Sequence, residues 1–299
     1  MNERPAFAWR AMGTTWRLFH DGGLTAAVAE QVAAAVELDE ERWSRFRPTS
    51  ELAHLNRCAG IPVEASPEMV ELLAACDRFT RETEGVFAPL VGAAVIAWGY
   101  EVSKDERAPG TTASPQSAPV RRDPLVFDAA RRLVEVPRGA LLDLGGIAKA
   151  WSCARAAELV AGLSDEPGLL VEAGGDLVAA RGEHVVAIED SRGPDHPPIA
   201  HIRLPERHAV CTSGWSRRHW TNADGVDAHH LIDPATGRPA PRRQATVISA
   251  EPARGEVLAK VLVLRPDRIA TMTEAALVAD ADGVRTTDAW LAALATAPH

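Results

Sequence analysis

Two glycine pairs bracket a single helical segment, and that arrangement limits what the chain can become. The first is Asp143-Leu144-Gly145-Gly146-Ile147-Ala148-Lys149, which opens the helix; the second is Glu172-Ala173-Gly174-Gly175-Asp176, which ends the strand after it. Glycine tolerates φ > 0 and lets another group approach the backbone closely. Unpaired N–H groups at a helix start favour anions. With the charge of Lys149 added, the pattern predicts a seat for a phosphorylated ligand, although either pair alone reads equally well as a turn.

The rest of the chain predicts a mixed, non-alternating fold. Ala11 to Phe19 alternates as a strand entered through a glycine turn, and Leu24 to Arg42 has helical spacing. Ser44 to Leu52 is a loop entering a short helix. Ser66 caps a helix reaching about Thr83, with Pro67 at its first position. Residues 101–120 lack periodicity and predict an exposed, mobile loop. Leu125–Phe127 and Leu133–Val136 read as a hairpin, Lys149–Ala161 as a helix. Strands are expected at Leu169–Val171, His184–Ile188, Ala200–Leu204 and Ala245–Ala250. Gly255–Val263 reads as a helix whose Val-Leu-Val-Leu end fits a strand equally well; Asp267–Met272 and Thr287–Ala295 read as short helices. Without strict βαβ alternation the fold class is α+β, and 299 residues allow one large domain or two closely associated lobes. No G-x-G-x-x-G, G-x-x-x-x-G-K-[ST] or G-x-S-x-G motif is present, which disfavours Rossmann, P-loop and hydrolase chemistry.

A formal net charge of −9 excludes nucleic acid as a general partner, despite the local pairs Arg217-Arg218 and Arg242-Arg243. Cys58, Cys76, Cys153 and Cys211 form no C-x-x-C pair and are expected as buried free thiols. Met1 to Pro5 leads into no apolar leader, no lipobox-like cysteine is visible and no membrane span is visible, so a cytoplasmic protein is expected. Further along, Thr212-Ser213-Gly214 offers two hydroxyls to phosphate or ribose oxygens, or to turn hydrogen bonds. His229 and His230 point to opposite faces if they lie on a strand, so at most one faces a site and the other packs.

The order of these motifs resembles the ApbE family of flavin transferases. The matching segments are Met12-Gly13-Thr14, Ser44 to Leu52 with Leu55-Asn56-Arg57, Gly85 to Pro89 and Trp98-Gly99-Tyr100. They continue through Asp143 to Lys149, Glu172 to Asp176, Thr212 to Gly214 and His229 to Gly237. The resemblance implies an α+β fold holding FAD in a cleft between lobes, with Mg2+ on the pyrophosphate. It implies transfer of FMN to a Ser or Thr hydroxyl of an acceptor protein and release of AMP. A flavin-binding protein without transfer activity and an FAD pyrophosphatase are the alternatives.

Carried over by position, Met12 and Gly13 lie against the flavin, and Asp143 and Lys149 contact FAD. Phe87, Ala88, Gly145, Gly146, Glu172, Gly174, Gly175 and Asp176 belong to the FAD-binding set. So do Thr212, Ser213, Gly214, His230 and Ile232. Asp143, Lys149, His230, Glu256 and Lys260 are the candidate catalytic residues, and Gly146 and Glu256 the candidate metal contacts. The chain departs from the family pattern at three places. The family has an Asp and, four residues on, a Thr where this chain has Glu256 and Lys260. It has Phe-Asp-Pro where Ala88 stands, and usually glycine at Ala150. Lys260 either binds pyrophosphate in place of part of the metal or forms an i,i+4 ion pair with Glu256.

Overall fold

The computed structural model describes residues 6–101, 115, 120, 124–193 and 195–296. Most of the loop expected at 101–120 therefore lies outside the described residues. The chain forms two compact units: residues 1–38, 149–216 and 242–299, and residues 39–148 and 217–241.

The first unit is built on an eight-stranded sheet: β1 (Ala6–Ala11), β2 (Thr14–Phe19), β3 (Leu169–Ala173), β4 (Asp176–Arg181), β5 (Ala209–Gly214), β6 (Gln244–Ser249), β7 (Ala275–Asp280) and β8 (Gly283–Thr286). Spatial order equals chain order and every neighbouring pair is antiparallel. An antiparallel sheet needs no crossover helix between neighbours, which is why strict βαβ alternation is missing from the sequence. β1, β4, β5, β7 and β8 are not among the strands that the sequence predicts. Alanine and polar residues dilute their alternation, and pairing with richer neighbours makes them strands.

One face of this sheet carries a core of Trp16, Leu18, Val171, Val178 and Cys211 with the helical residues Val32, Val36, Ala150, Cys153 and Val160. These come from helices α1 (Ala26–Trp43) and α5 (Ala148–Leu163). The other face holds Leu170, Ala179, Val210, Ile248 and Leu277 against the hairpin of His184–Ile188 with Ala200–Leu204 and against Trp290. Two tight hairpins close the strands. Met12 and Gly13 join β1 to β2 with φ 50° and 66°, and Gly174 and Gly175 join β3 to β4 with φ 61° and 105°. Two successive positive φ values are what a type I′ turn requires. The tips touch: a Cβ at Gly174 would stand 2.5 Å from Thr14 Oγ1.

The second unit contains α2 (Glu51–Arg57), α3 (Pro67–Glu82) and α4 (Gly92–Ala97), with a three-stranded sheet of Val63–Glu64, Leu133–Glu135 and Val126–Asp128. Ser50 and Ser66 cap α2 and α3 by accepting from the N–H groups of Ala53 and Met69. Trp98 donates to the Gly237 carbonyl and Trp220 to the Trp98 carbonyl. The remaining helices, α6 (Pro252–Leu264) and α7 (Asp288–Ala293), belong to the first unit. The Val-Leu-Val-Leu stretch is thus helical, and Pro266–Thr271 is a 3-10 helix. Cys76, Cys153 and Cys211 are buried and free; Cys58 is only half-buried, at the end of α2. No helix among the described residues is long and apolar enough to cross a membrane.

Candidate functional site

In the first unit, β4, β5, α5 and α6 each contribute to one charged cluster. Lys149, in the first turn of α5, donates to Asp176 Oδ2 at 2.7 Å and to Glu256 Oε1 at 2.9 Å. Lys260, one helical turn beyond Glu256 on α6, donates to the same Oε1 at 2.9 Å and lies 3.4 Å from Ser213 Oγ. Glu256 Oε2 accepts from the Ala150 N–H at 3.0 Å, and Asp176 Oδ1 from the Thr212 N–H at 3.3 Å. The carboxylates form an inner layer, with side chains 2% and 1% exposed for Asp176 and Glu256. The lysine side chains are more exposed, at 14% for Lys149 and 13% for Lys260.

Burial pushes the Glu256 carboxyl up. The two ammonium charges, the Lys149 hydrogen bond and the Ala150 N–H outweigh it and hold the group well below the usual carboxylate range. For Asp176 burial wins: it raises the carboxyl against the pull of Lys149, and the nearby Glu256 charge adds to the rise. Lys149 is thus shared between a firmly ionised glutamate and a costlier aspartate charge. Burial, with the Asp176 charge next, also pushes the thiols of Cys153 and Cys211 up, which leaves them unreactive beside this cluster.

This geometry changes two expectations. The Ala150 N–H in the first turn of α5 does not await a ligand anion, because the Glu256 carboxylate occupies it. Glu256 and Lys260 do form an i,i+4 pair, yet a buried one within a larger network rather than a solvated surface pair. Period-two alternation separates other candidates. Ser213 faces α6, whereas Thr212 turns its hydroxyl to Thr246 Oγ1 at 3.0 Å, directly across the β5–β6 pair. Glu172 is on the opposite face from Asp176 and pairs across strands with Arg17 at 2.9 Å. Thr246, a single threonine in a strand, carries no distinguishing signal in the sequence, and Thr14 was legible only within the Met12-Gly13-Thr14 motif.

In the second unit, Asp143 is held by its loop. Its Oδ1 accepts from the Gly145 N–H at 2.8 Å, and its own N–H donates to the Pro89 carbonyl at 2.8 Å. A Cβ at Gly145 would lie 2.9 Å from Oδ1, so the first glycine is needed for this Asx turn. Asp143 Oδ2 accepts from Arg45 Nε at 2.8 Å, and Arg45 also donates to the carbonyl of Tyr100 at 2.7 Å. Asn56 fixes the preceding residue, donating to the Leu142 carbonyl at 3.0 Å and accepting from its N–H at 2.8 Å. Arg45 and Asn56 were legible only as parts of longer motifs. Gly146 is half-buried in the same loop.

Phe87 is buried and bonded through its N–H to Thr83 Oγ1, and Ala88 provides no side-chain cap for the short turn starting at Pro89. His229 is buried. Its Nε2–H donates to the Ala240 carbonyl at 2.7 Å, its Nδ1 accepts from Leu231, and burial pushes the imidazole down into its neutral form. His230 instead sits tilted against Tyr100, which stacks on Trp220. Ile232 packs in the core beside Trp98 and Tyr100.

For a divalent cation the donor set is wrong. Mg2+ demands hard oxygens at about 2.0–2.1 Å in octahedral array. Both Glu256 oxygens already accept from N–H donors, and an ammonium stands at position 260. No group of three or more His, Cys, Asp or Glu residues among the described residues forms a metal-holding arrangement. Glu256 therefore does not fit the expected role of metal ligand.

The same architecture occurs among solved flavin transferases. The fold matches that of the ApbE protein of Thermotoga maritima with a TM-score of 0.85, at 23% identity over 98% of this chain and 100% of that one. It matches the flavin transferase ApbE of Vibrio cholerae with a TM-score of 0.75, at 22% identity over 98% and 99%. Among curated relatives, the FAD:protein FMN transferase of Haemophilus influenzae is 25% identical over 81% of this chain and 75% of its own length. That of Vibrio cholerae serotype O1 is 28% identical over 79% and 73%. Residues 12–280 match the ApbE family, and the chain belongs to it.

Proposed function

We propose that this protein transfers FMN from FAD to a Ser or Thr hydroxyl of an acceptor protein and releases AMP. The observation that carries the reading is that the family match runs through every motif from the Met12–Gly13 hairpin to the end of β7.

The chemistry is a phosphoryl transfer. The acceptor oxygen bonds to the phosphorus of the FMN half while the bond from that phosphorus to the bridging oxygen breaks. The bond pair leaves with AMP, and the hydroxyl proton passes to a base. In such reactions positioning and charge neutralisation do most of the work. Lys149 and Lys260 supply positive charge, and Ser213 a hydroxyl, within the first unit. The glycine turn at Gly174–Gly175 lets the β1–β2 hairpin approach it closely through Thr14. In the second unit Asp143 is oriented by Arg45 and Gly145, so both its oxygens are committed to positioning. His230 is the side chain suited to take the hydroxyl proton, since an imidazole exchanges protons near neutral pH. The residues do not fit Mg2+, and no step is assigned to it.

The test mixes purified protein, FAD and a Thr-containing acceptor, with mass spectrometry of the acceptor. A mass gain equal to FMN with AMP released is expected. Intact FAD after long incubation would leave a flavin-binding protein, and FMN plus AMP with unlabelled acceptor would leave a pyrophosphatase. His230→Asn should lower the transfer rate about 10²- to 10⁴-fold with little change in FAD affinity.

A further inference from the structure

The charged cluster of the first unit has the composition of a cation site in which the cation is part of the chain. Glu256 is almost fully buried, and its Oε1 accepts from two ammonium groups at once. Asp176 is equally buried, and both its oxygens are engaged. Two carboxylates against two ammonium groups leave the cluster neutral, without a further cation to balance. An added divalent ion would have to displace Lys149 or Lys260 from Glu256, leaving an ammonium group buried against a doubly charged metal.

The outer surface of the cluster is a different matter. The side chains with surface there are the two lysines, 14% and 13% exposed against 2% and 1% for the carboxylates. An ammonium carries three donors. Lys260 directs one to Glu256 and one, long, to Ser213 Oγ, which leaves a third for a ligand. Lysine binds phosphate as a point charge, and the buried glutamate holds this one in place through a contact of 2.9 Å.

Building on the flavin-transfer reading, we propose that Lys260, fixed by Glu256 and seconded by Lys149, replaces the divalent cation, so that this protein holds the pyrophosphate of FAD without metal. Lys260 then touches the substrate, and Glu256 is the residue that positions it.

Isothermal titration calorimetry with FAD as titrant tests this, in EDTA and in excess MgCl2. For the native protein the two dissociation constants should agree within about twofold, far less than the tenfold step that a lost charge-assisted contact gives. MgCl2 alone should give no binding heat. In EDTA, Lys260→Thr should weaken FAD binding by about tenfold or more, while Lys260→Arg retains most of it. Lys260→Met, which keeps the apolar stem, serves as second variant if Lys260→Thr does not melt cooperatively. A rise of about tenfold or more in native affinity on adding MgCl2 overturns the proposal, as does unchanged binding by Lys260→Thr or Lys260→Met in EDTA. Absence of FAD heat in both buffers, from native protein that melts cooperatively, overturns the flavin reading itself and this proposal with it.

Discussion

The two units place their candidate residues by different means. In the first, strand register and helix pitch do the work. Asp176 begins β4, Ser213 lies on β5, and Glu256 and Lys260 are one turn apart on α6, so their meeting follows from regular geometry. In the second, Asp143 lies on irregular backbone and is set by hydrogen bonds from Gly145, Arg45 and, one residue earlier, Asn56. The first unit concentrates compensated charge where water is excluded. The second spends side chains on holding a loop. Regular elements therefore carry the electrostatics, and an irregular segment carries the group whose orientation matters.

Removing the shared carboxylate should produce the largest contrast. Glu256→Ala leaves two ammonium groups facing a single buried aspartate and should cost about 3–5 kcal/mol of stability, measured by urea unfolding. The same residue sets a pH effect. Its carboxyl is held below its ordinary value of 4.5, so its stabilisation is complete above that pH and is lost as pH falls toward the lowered value. Asp176, raised in the folded protein, acts in the opposite sense. Glu256→Gln should therefore show a shallower loss of stability below pH 4.5 than the native protein, read from urea midpoints at successive pH values.

A smaller effect is expected in the second unit. Asn56→Ala strips the Leu142 N–H and carbonyl of their partners and should cost about 2 kcal/mol. Because the loop is what suffers, FAD affinity should fall further than that of a remote variant with equal stability loss. Equal affinities would show that the loop is not what orients the site. The smallest effect belongs to the hairpin between β1 and β2. Met12 adopts φ 50°, a left-handed conformation that costs a non-glycine residue about 1–2 kcal/mol. Met12→Gly should raise the unfolding midpoint slightly while weakening FAD binding, a combination expected if the side chain is kept for its ligand contact.

Much of this architecture was legible before the structure. The cap at Ser66, the helix after Lys149 and the two Gly-containing turns are local matters, settled by capping chemistry and by positive φ. The strands poor in apolar alternation were not legible, because their stability comes from neighbours paired across the sheet. Nor was the sharing of Glu256 by Lys149 and Lys260. Sequence spacing joins Glu256 to Lys260 through one helical turn, but Lys149 reaches them from another helix.

What the amino-acid sequence determined alone was the mixed α+β class, the positions of turns and helix starts, and the ordered motifs that mark the family. Each depends on residues close together along the chain. Tertiary structure alone decided that the helix start at Ala150 receives a glutamate of the chain itself, that Thr212 and Ser213 face opposite ways, and that Glu172 stands apart from the charged cluster. The physical reason is that burial, register and charge pairing are properties of segments brought together from distant positions. A lysine written next to a glycine pair has no fixed partner until the sheet and α6 supply two carboxylates.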